Sequence, residues 1–215
     1  MIKTVITGVG RCGTSLLARH CADIGYAPAS RLHWHNRINA GYEDLECVAL
    51  NKAIRLGGEI SPDMERWPLT TTLKVVKDPW FVLAGEKILP WWIKLMPDLS
   101  FIVMYRDLHA SSKSRLMATG EINPESRRSY PRSYPRSEIN IRDIDQQVSR
   151  TRRAEKEFVR AGNRLGVKMH FLCFPEILER YWVVHDTLSR CGLSVDYQEG
   201  EEKWNSLADK SKVHH

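Results

Sequence analysis

The chain of 215 residues contains no run of about 18 consecutive apolar residues, so no membrane-spanning helix is expected. Its first ten residues, MIKTVITGVG, lack the basic start, the long apolar stretch and the small-residue cleavage site of a secretory signal. A soluble, cytoplasmic protein is the expectation. Cysteine is sparse: Cys12, Cys21, Cys47, Cys173 and Cys191 are odd in number, widely spaced and include no C-x-x-C pair. That argues against a disulfide framework and a zinc site, and the five read as buried, reduced thiols. Cys12 is singled out because it follows Arg11 and precedes a helix, a setting that acidifies a thiol, yet it is not read as a nucleophile. Acidic residues are missing from SRRSYPRSYPRS, residues 126–137, which holds four arginines and two prolines in a small S-Y-P-R repeat. Residues 124–140 are therefore expected to form a basic, flexible insert that carries much of the net charge of +6. No nucleic-acid-binding module is recognisable, so nucleic acid is not the expected partner and the charge is read as favouring anionic ligands in general.

What is present suffices for one core, and 1–215 is read as a single domain with 42% apolar residues. Residues 2–7, IKTVIT, form a short β-branched run that ends in glycines, and helical spacing follows from Ser15 to Ile24. Apolar runs at 73–77 and 100–105 are each followed by a helical pattern, the first at 83–96, which Pro90 is expected to kink or divide, the second near 107–118. A helix from about Arg142 to Leu165, with Ile144, Val148, Phe158 and Leu165 available for burial, leads to a strand at 168–174 and a last helix near Ile177 to Cys191. Residues 43–56 read as an amphipathic helix, SPDMERWP (61–68) as a loop, and 197–215 as a polar, peripheral tail. Alternating strands and helices predict an α/β fold, a three-layer sandwich with a central parallel sheet whose ligands bind at the carboxyl ends of the strands.

The stretch GVGRCGTSLL, 8–17, has the glycine spacing of a nucleotide hydrolase loop, but Thr14 stands where that loop carries its lysine. Backbone N–H groups at such a turn still form an anion site. The basic residue has moved to Arg11. RCGTS at 11–15 resembles the 5′-phosphosulfate loop of sulfotransferases that use 3′-phosphoadenosine 5′-phosphosulfate (PAPS), with Gly10, Arg11, Cys12, Gly13, Thr14 and Ser15 as donor-binding positions. YRDLHASSKSR resembles the same family's 3′-phosphate site, an Arg at a strand end and a Ser eight positions later, here Arg106 and Ser114. VVKDPWF at 75–81 is similar to the K-D-P segment of tyrosylprotein sulfotransferases, with Lys77 at the family's second catalytic lysine. A weaker match, CFPEIL at 173–178, looks like the strand and acidic loop that close the family's core.

The resemblance implies a P-loop-like sulfotransferase topology and transfer of a sulfuryl group from PAPS to a hydroxyl or amine acceptor, with Arg11 and Lys77 stabilising the leaving phosphate and no metal required. The histidine base of many cytosolic members does not carry over, because Pro79 occupies its position. Glu43 is the first candidate for the base, Asp78 the second and His33 or His35 a third; Asp78 can equally cap the next helix or pair with Lys77. The family's late basic loop has no clear counterpart. Two other readings stay open: a P-loop kinase or nucleotide hydrolase in which Asp107 holds magnesium, and an inactive nucleotide-binding protein of the same fold. Trp34, Tyr42, Trp80, Trp91 and Trp92 are candidates for an acceptor pocket or for the core.

Overall fold

Four apolar, β-rich runs pair in the order β2-β1-β3-β4, all parallel: β1 (Thr4–Gly8), β2 (Val75–Lys77), β3 (Ser100–Tyr105) and β4 (Lys168–Cys173). The computed structural model describes residues 1–9, 12–26, 44–112 and 144–208. Gly10, Arg11, His33, Trp34, His35, Tyr42, Glu43, Ser114 and the insert 124–140 lie outside the described residues. Register aligns Ile6 with Lys77 and with Ile102, Gly8 with Met104, and Tyr105 with Cys173. The carboxyl ends of all four strands therefore share one rim of the sheet.

Alternation along the strands separates two cores. Ile6, Val75, Ile102, Met104 and Leu172 face α1 (Thr14–Asp23), α8 (Tyr181–Arg190) and α9 (Tyr197–Leu207). Val5, Val76, Phe101 and Val103 face the opposite layer, which contains α2 (Leu45–Leu56), α4 (Trp80–Leu83), α5 (Gly85–Leu95) and α7 (Ile144–Arg164). Burial on both faces explains why β1, β2 and β3 read as continuous apolar runs rather than as alternating ones, whereas the edge strand β4 is only partly buried. The three-layer α/β expectation is met. No helix among the described residues is long and apolar enough to cross a membrane.

Several local expectations are corrected. SPDMERWP is not a loop but the start of α3 (Pro62–Thr70). Ser61 Oγ accepts the Met64 N–H, Pro62 sits in the first turn, where no N–H is needed, and Asp63 and Glu65 face the positive end of the helix dipole. Pro90 continues α5; the break falls at Ala84, where φ is −139°, one residue before Gly85, at which a Cβ would be 2.7 Å from Phe158. Of the helix expected at 107–118, α6 covers 108–112, and residues 113–118 lie outside the described residues. The helix expected at 177–191 divides into a 3-10 turn, Glu176–Glu179, and α8. Leu165, expected in the core, is exposed, whereas Val148 and Phe158 are buried. The segment after Asp196 is not wholly peripheral: Asp196 caps α9, and the helix buries one stripe on α1 with Trp204 fully enclosed.

Trp204 closes an aromatic cluster around His20 of α1, which meets the Trp204 ring edge-on at 5.3 Å and the Tyr181 ring at 5.5 Å. Burial, with the Lys203 charge adding to it, pushes the His20 imidazole down from 6.5 to about 4. The folded protein keeps His20 neutral while the unfolded chain takes up a proton below about pH 6.5. This contribution to stability is complete above that pH and is lost as pH falls toward 4, at a total of about 3 kcal/mol. Urea melts at pH 7 and pH 4.5 should show this loss in the wild type and a smaller one in His20→Phe; equal losses in both would place the acid sensitivity elsewhere.

Candidate functional site

β1 hands the chain to a loop that lies too close to the sheet for side chains at two positions. A Cβ on Gly8 would collide with the Met104 carbonyl of β3 and lie 2.5 Å from Cys12 Sγ. Gly13 has φ of 85°, a conformation that favours glycine, and a Cβ there would lie 2.5 Å from the Phe174 ring. Between them Cys12 turns inward and is fully buried with Ile6, Leu17, Ala18 and Met104. Its small side chain fits the space that Gly8 leaves, which accounts for a cysteine in this slot.

α1 then starts at Thr14, with the N–H groups of Leu16 and Leu17 on the Gly13 carbonyl. The N-terminus of α1 has no side-chain cap and no acidic residue in its first turn, whereas Asp44, Ser61 and Asp196 cap α2, α3 and α9. α4 and α8 likewise start without a side-chain cap or an early acid, and such an end of a helix dipole favours an anion.

Lys77, the last residue of β2, crosses to that turn. It is 3% exposed, and its Nζ donates to Ser15 Oγ at 2.9 Å. Two residues singled out in separate sequence blocks, 62 positions apart, therefore touch. Asp78 follows and is wholly buried. Its Oδ1 accepts the Trp80 N–H at 2.9 Å and its Oδ2 accepts Asn51 Nδ2–H at 2.8 Å. Its N–H donates to the Ile6 carbonyl, and its carbonyl accepts the Thr7 hydroxyl. The Trp80 contact agrees with the cap reading of Asp78; the base reading needs an oxygen that can reach an acceptor hydroxyl.

At the end of β3, Arg106 places its guanidinium 5.4 Å from the Phe174 ring centroid, over the same ring that abuts Gly13. Phe174 extends the β4 ladder by donating its N–H to the Tyr105 carbonyl. Loop, Lys77 and Arg106 are thereby gathered on one rim. Phe174 was legible only as part of the CFPEIL block, and its contact with Gly13 joins residues 161 positions apart in the sequence. Arg11, Gly10, Ser114 and Glu43 lie outside the described residues.

Sequence reading missed two buried polar groups in α2. Asp44 accepts the Cys47 N–H, and its carboxyl is pushed up by burial, with Glu46 adding to the effect. Asn51 joins Asp78 to Trp92, whose indole N–H donates to Asn51 Oδ1 at 2.7 Å. Of the aromatic acceptor-pocket candidates among the described residues, Trp92 belongs to the core, and Trp80 and Trp91 are partly buried against it. Asp107 is an exposed cap whose Oδ1 accepts the Ala110 N–H. No cluster of three or more His, Cys, Asp or Glu suited to a metal occurs among the described residues.

No family model matches the chain, and no curated protein matches its sequence. A solved structure does match: the crystal structure of a sulfotransferase from Alicyclobacillus acidocaldarius, with a TM-score of 0.53 over 97% of this chain and 96% of that one, at 15% identity. The similarity establishes a sulfotransferase-like fold.

Burial pushes the thiols of Cys21, Cys47, Cys173 and Cys191 up, and Cys173 alone among the five cysteines is not buried. A thiol reagent added to native protein should label Cys173 first and leave Cys12 unmodified until the protein unfolds. Rapid labelling that disappears in Cys12→Ser would show Cys12 to be reactive.

Proposed function

We propose that the protein is a sulfotransferase that moves a sulfuryl group from PAPS to a hydroxyl or amine acceptor by in-line displacement. The observation that carries this reading is the meeting of Lys77 Nζ with Ser15 Oγ at 2.9 Å, at the uncapped start of α1, on the rim that also holds Arg106. A cation beside the first turn of a helix fits a 5′-phosphosulfate; the sulfotransferase-like fold agrees with it. The lysine's place on β2, rather than after Gly13, separates the loop from that of a nucleotide hydrolase.

In this reading the loop amides, Arg11 and Lys77 hold the 5′-phosphate end of the donor and Arg106 with Ser114 holds its 3′-phosphate. The acceptor oxygen or nitrogen forms a bond to sulfur while the bond from sulfur to the bridging phosphate oxygen breaks. Negative charge builds on that bridging oxygen, and Lys77 and Arg11 stabilise it without having to reorganise. The acceptor proton passes to a base, for which Glu43 is the first choice and His33 or His35 the next. Asp78, whose buried carboxylate takes donors from Asn51 and Trp80, is read as serving the architecture of the site instead.

Calorimetry should show 3′-phosphoadenosine 5′-phosphate (PAP) binding without magnesium and weak or no binding of ATP with magnesium. Lys77→Ala and Arg11→Ala are expected to lower turnover by about 100-fold or more, whereas Arg106→Ala should mainly weaken bisphosphate binding, by roughly 10-fold. Magnesium-dependent ATP binding with none for the bisphosphate would overturn the proposal. Bisphosphate binding without sulfate transfer to any of a broad acceptor panel would favour an inactive nucleotide-binding protein.

A further inference from the structure

Asn51 is an amide with no exposed surface, enclosed between Cys47, Trp92 and the Asp78 carboxylate. A leucine would fill such a space without burying a polar group. The amide is oriented without ambiguity. The Trp92 indole N–H can only donate, so the Asn51 atom 2.7 Å away is its carbonyl oxygen, and the opposite end of the amide is the donor to Asp78 Oδ2 at 2.8 Å. The relay thus runs in one direction, from Trp92 on α5 through Asn51 on α2 to the Asp78 carboxylate at the end of β2.

Asp78 is the residue after Lys77, and hydrogen bonds from Asn51, from the Trp80 N–H and from the Thr7 hydroxyl and to the Ile6 carbonyl help to fix it. The peptide from which the Lys77 side chain departs is therefore clamped between β1, α2 and α4. A lysine has four side-chain torsions, so its ammonium is delivered to Ser15 only if its root is held. The Asn51 contact reaches the carboxylate from a separate helix layer.

We infer that Asn51, oriented by Trp92, is a positioning residue: it holds the Asp78 carboxylate, and through it the strand end that aims Lys77 at the first turn of α1. The inference rests on the sulfotransferase reading for the catalytic consequence of aiming Lys77, and on the geometry alone for the aiming itself.

The test uses the full chain with Asn51→Leu, Trp92→Phe and the exchange Asn51→Asp with Asp78→Asn. The exchange keeps hydrogen bonds possible along the relay, because an aspartate at 51 accepts from Trp92 and from the new asparagine amide, whose oxygen still accepts from Trp80. With PAPS and a sulfated-product assay, Asn51→Leu should lower kcat by about 10-fold or more while donor KM and bisphosphate affinity change less than about 3-fold. Trp92→Phe should give a smaller loss in the same direction, and the exchange should recover most of kcat. The proposal is overturned if Asn51→Leu keeps wild-type kcat per folded molecule, if kcat and bisphosphate affinity fall together, or if the exchange restores the melting temperature but not kcat. Carbon-13 spectra of lysine-labelled protein, with the Lys77 signal assigned by Lys77→Arg, supply a readout that needs no activity. That signal should stand apart from exposed lysines in the wild type and merge with them in Asn51→Leu; an unmoved signal overturns the positioning role. If the wild type neither binds the bisphosphate nor transfers sulfate, the sulfotransferase reading fails, and the lysine spectrum still decides the role of Asn51.

Discussion

The loop after β1 lies so close to the sheet that two of its positions have no space for a Cβ, and the rest of the site depends on that closeness. At Gly8 the neighbour is the backbone of β3, and at Gly13 it is the Phe174 ring at the end of β4. With the loop pressed down, Cys12 becomes part of the core and α1 begins directly over the carboxyl ends of the strands. Raising the loop to admit a side chain would lift the first turn of α1 away from Lys77. The tight turn brings Ser15 within reach of Lys77, whose Nζ lies 2.9 Å from Ser15 Oγ.

Around this turn the protein buries polar groups that ordinary cores avoid. Lys77, Asp78, Asn51 and Asp44 are all nearly or wholly inaccessible. Each is costly to remove from water, and the cost is offset only where hydrogen bonds are complete and well directed. Asp78 illustrates the arrangement: two donors reach its carboxylate oxygens while its backbone ties β2 to β1. The apolar layers on either side of the sheet, with Trp92 and Phe81 edge-on at 5.3 Å on one face and Trp204 enclosed on the other, supply the stability against which these polar groups are held. Arg106 completes the rim by resting on the ring that confines Gly13, so both ends of the proposed donor site lean on one aromatic residue.

Much of this was legible from local pattern, and the exceptions have identifiable causes. β-branched runs ending in glycine or charge gave the strands, and the loop with Lys77 and Arg106 was found because each residue stands at the end of such a run. Reading residues 61–68 as a loop hid α3, although Ser61 and Asp63 carry the signals of a helix start. The close approach of Gly85 to Phe158, beside the break at Ala84, could not be read, since the two are distant in sequence. Trp204 looked peripheral because a single tryptophan in a polar helix gives little periodic signal, yet one face of α9 is enough to bury it. At the site, Asn51 passed as an ordinary polar residue of an amphipathic helix, and Asp78 offered base and cap readings that spacing alone did not separate.

The sequence by itself determined the order of strands and helices, the glycine loop without its lysine and the cations at strand ends, because these depend on dihedral preference and hydrophobic period within a few residues of chain. Only the tertiary structure decided which of those groups meet. Lys77 reaches Ser15, Asn51 reaches Asp78 and Phe174 reaches Gly13 across separations that no local preference spans, and parallel strand pairing brings them to one rim. Whether a buried carboxylate caps a helix or takes a proton is likewise a matter of the donors that surround it, and those arrive from other layers of the fold.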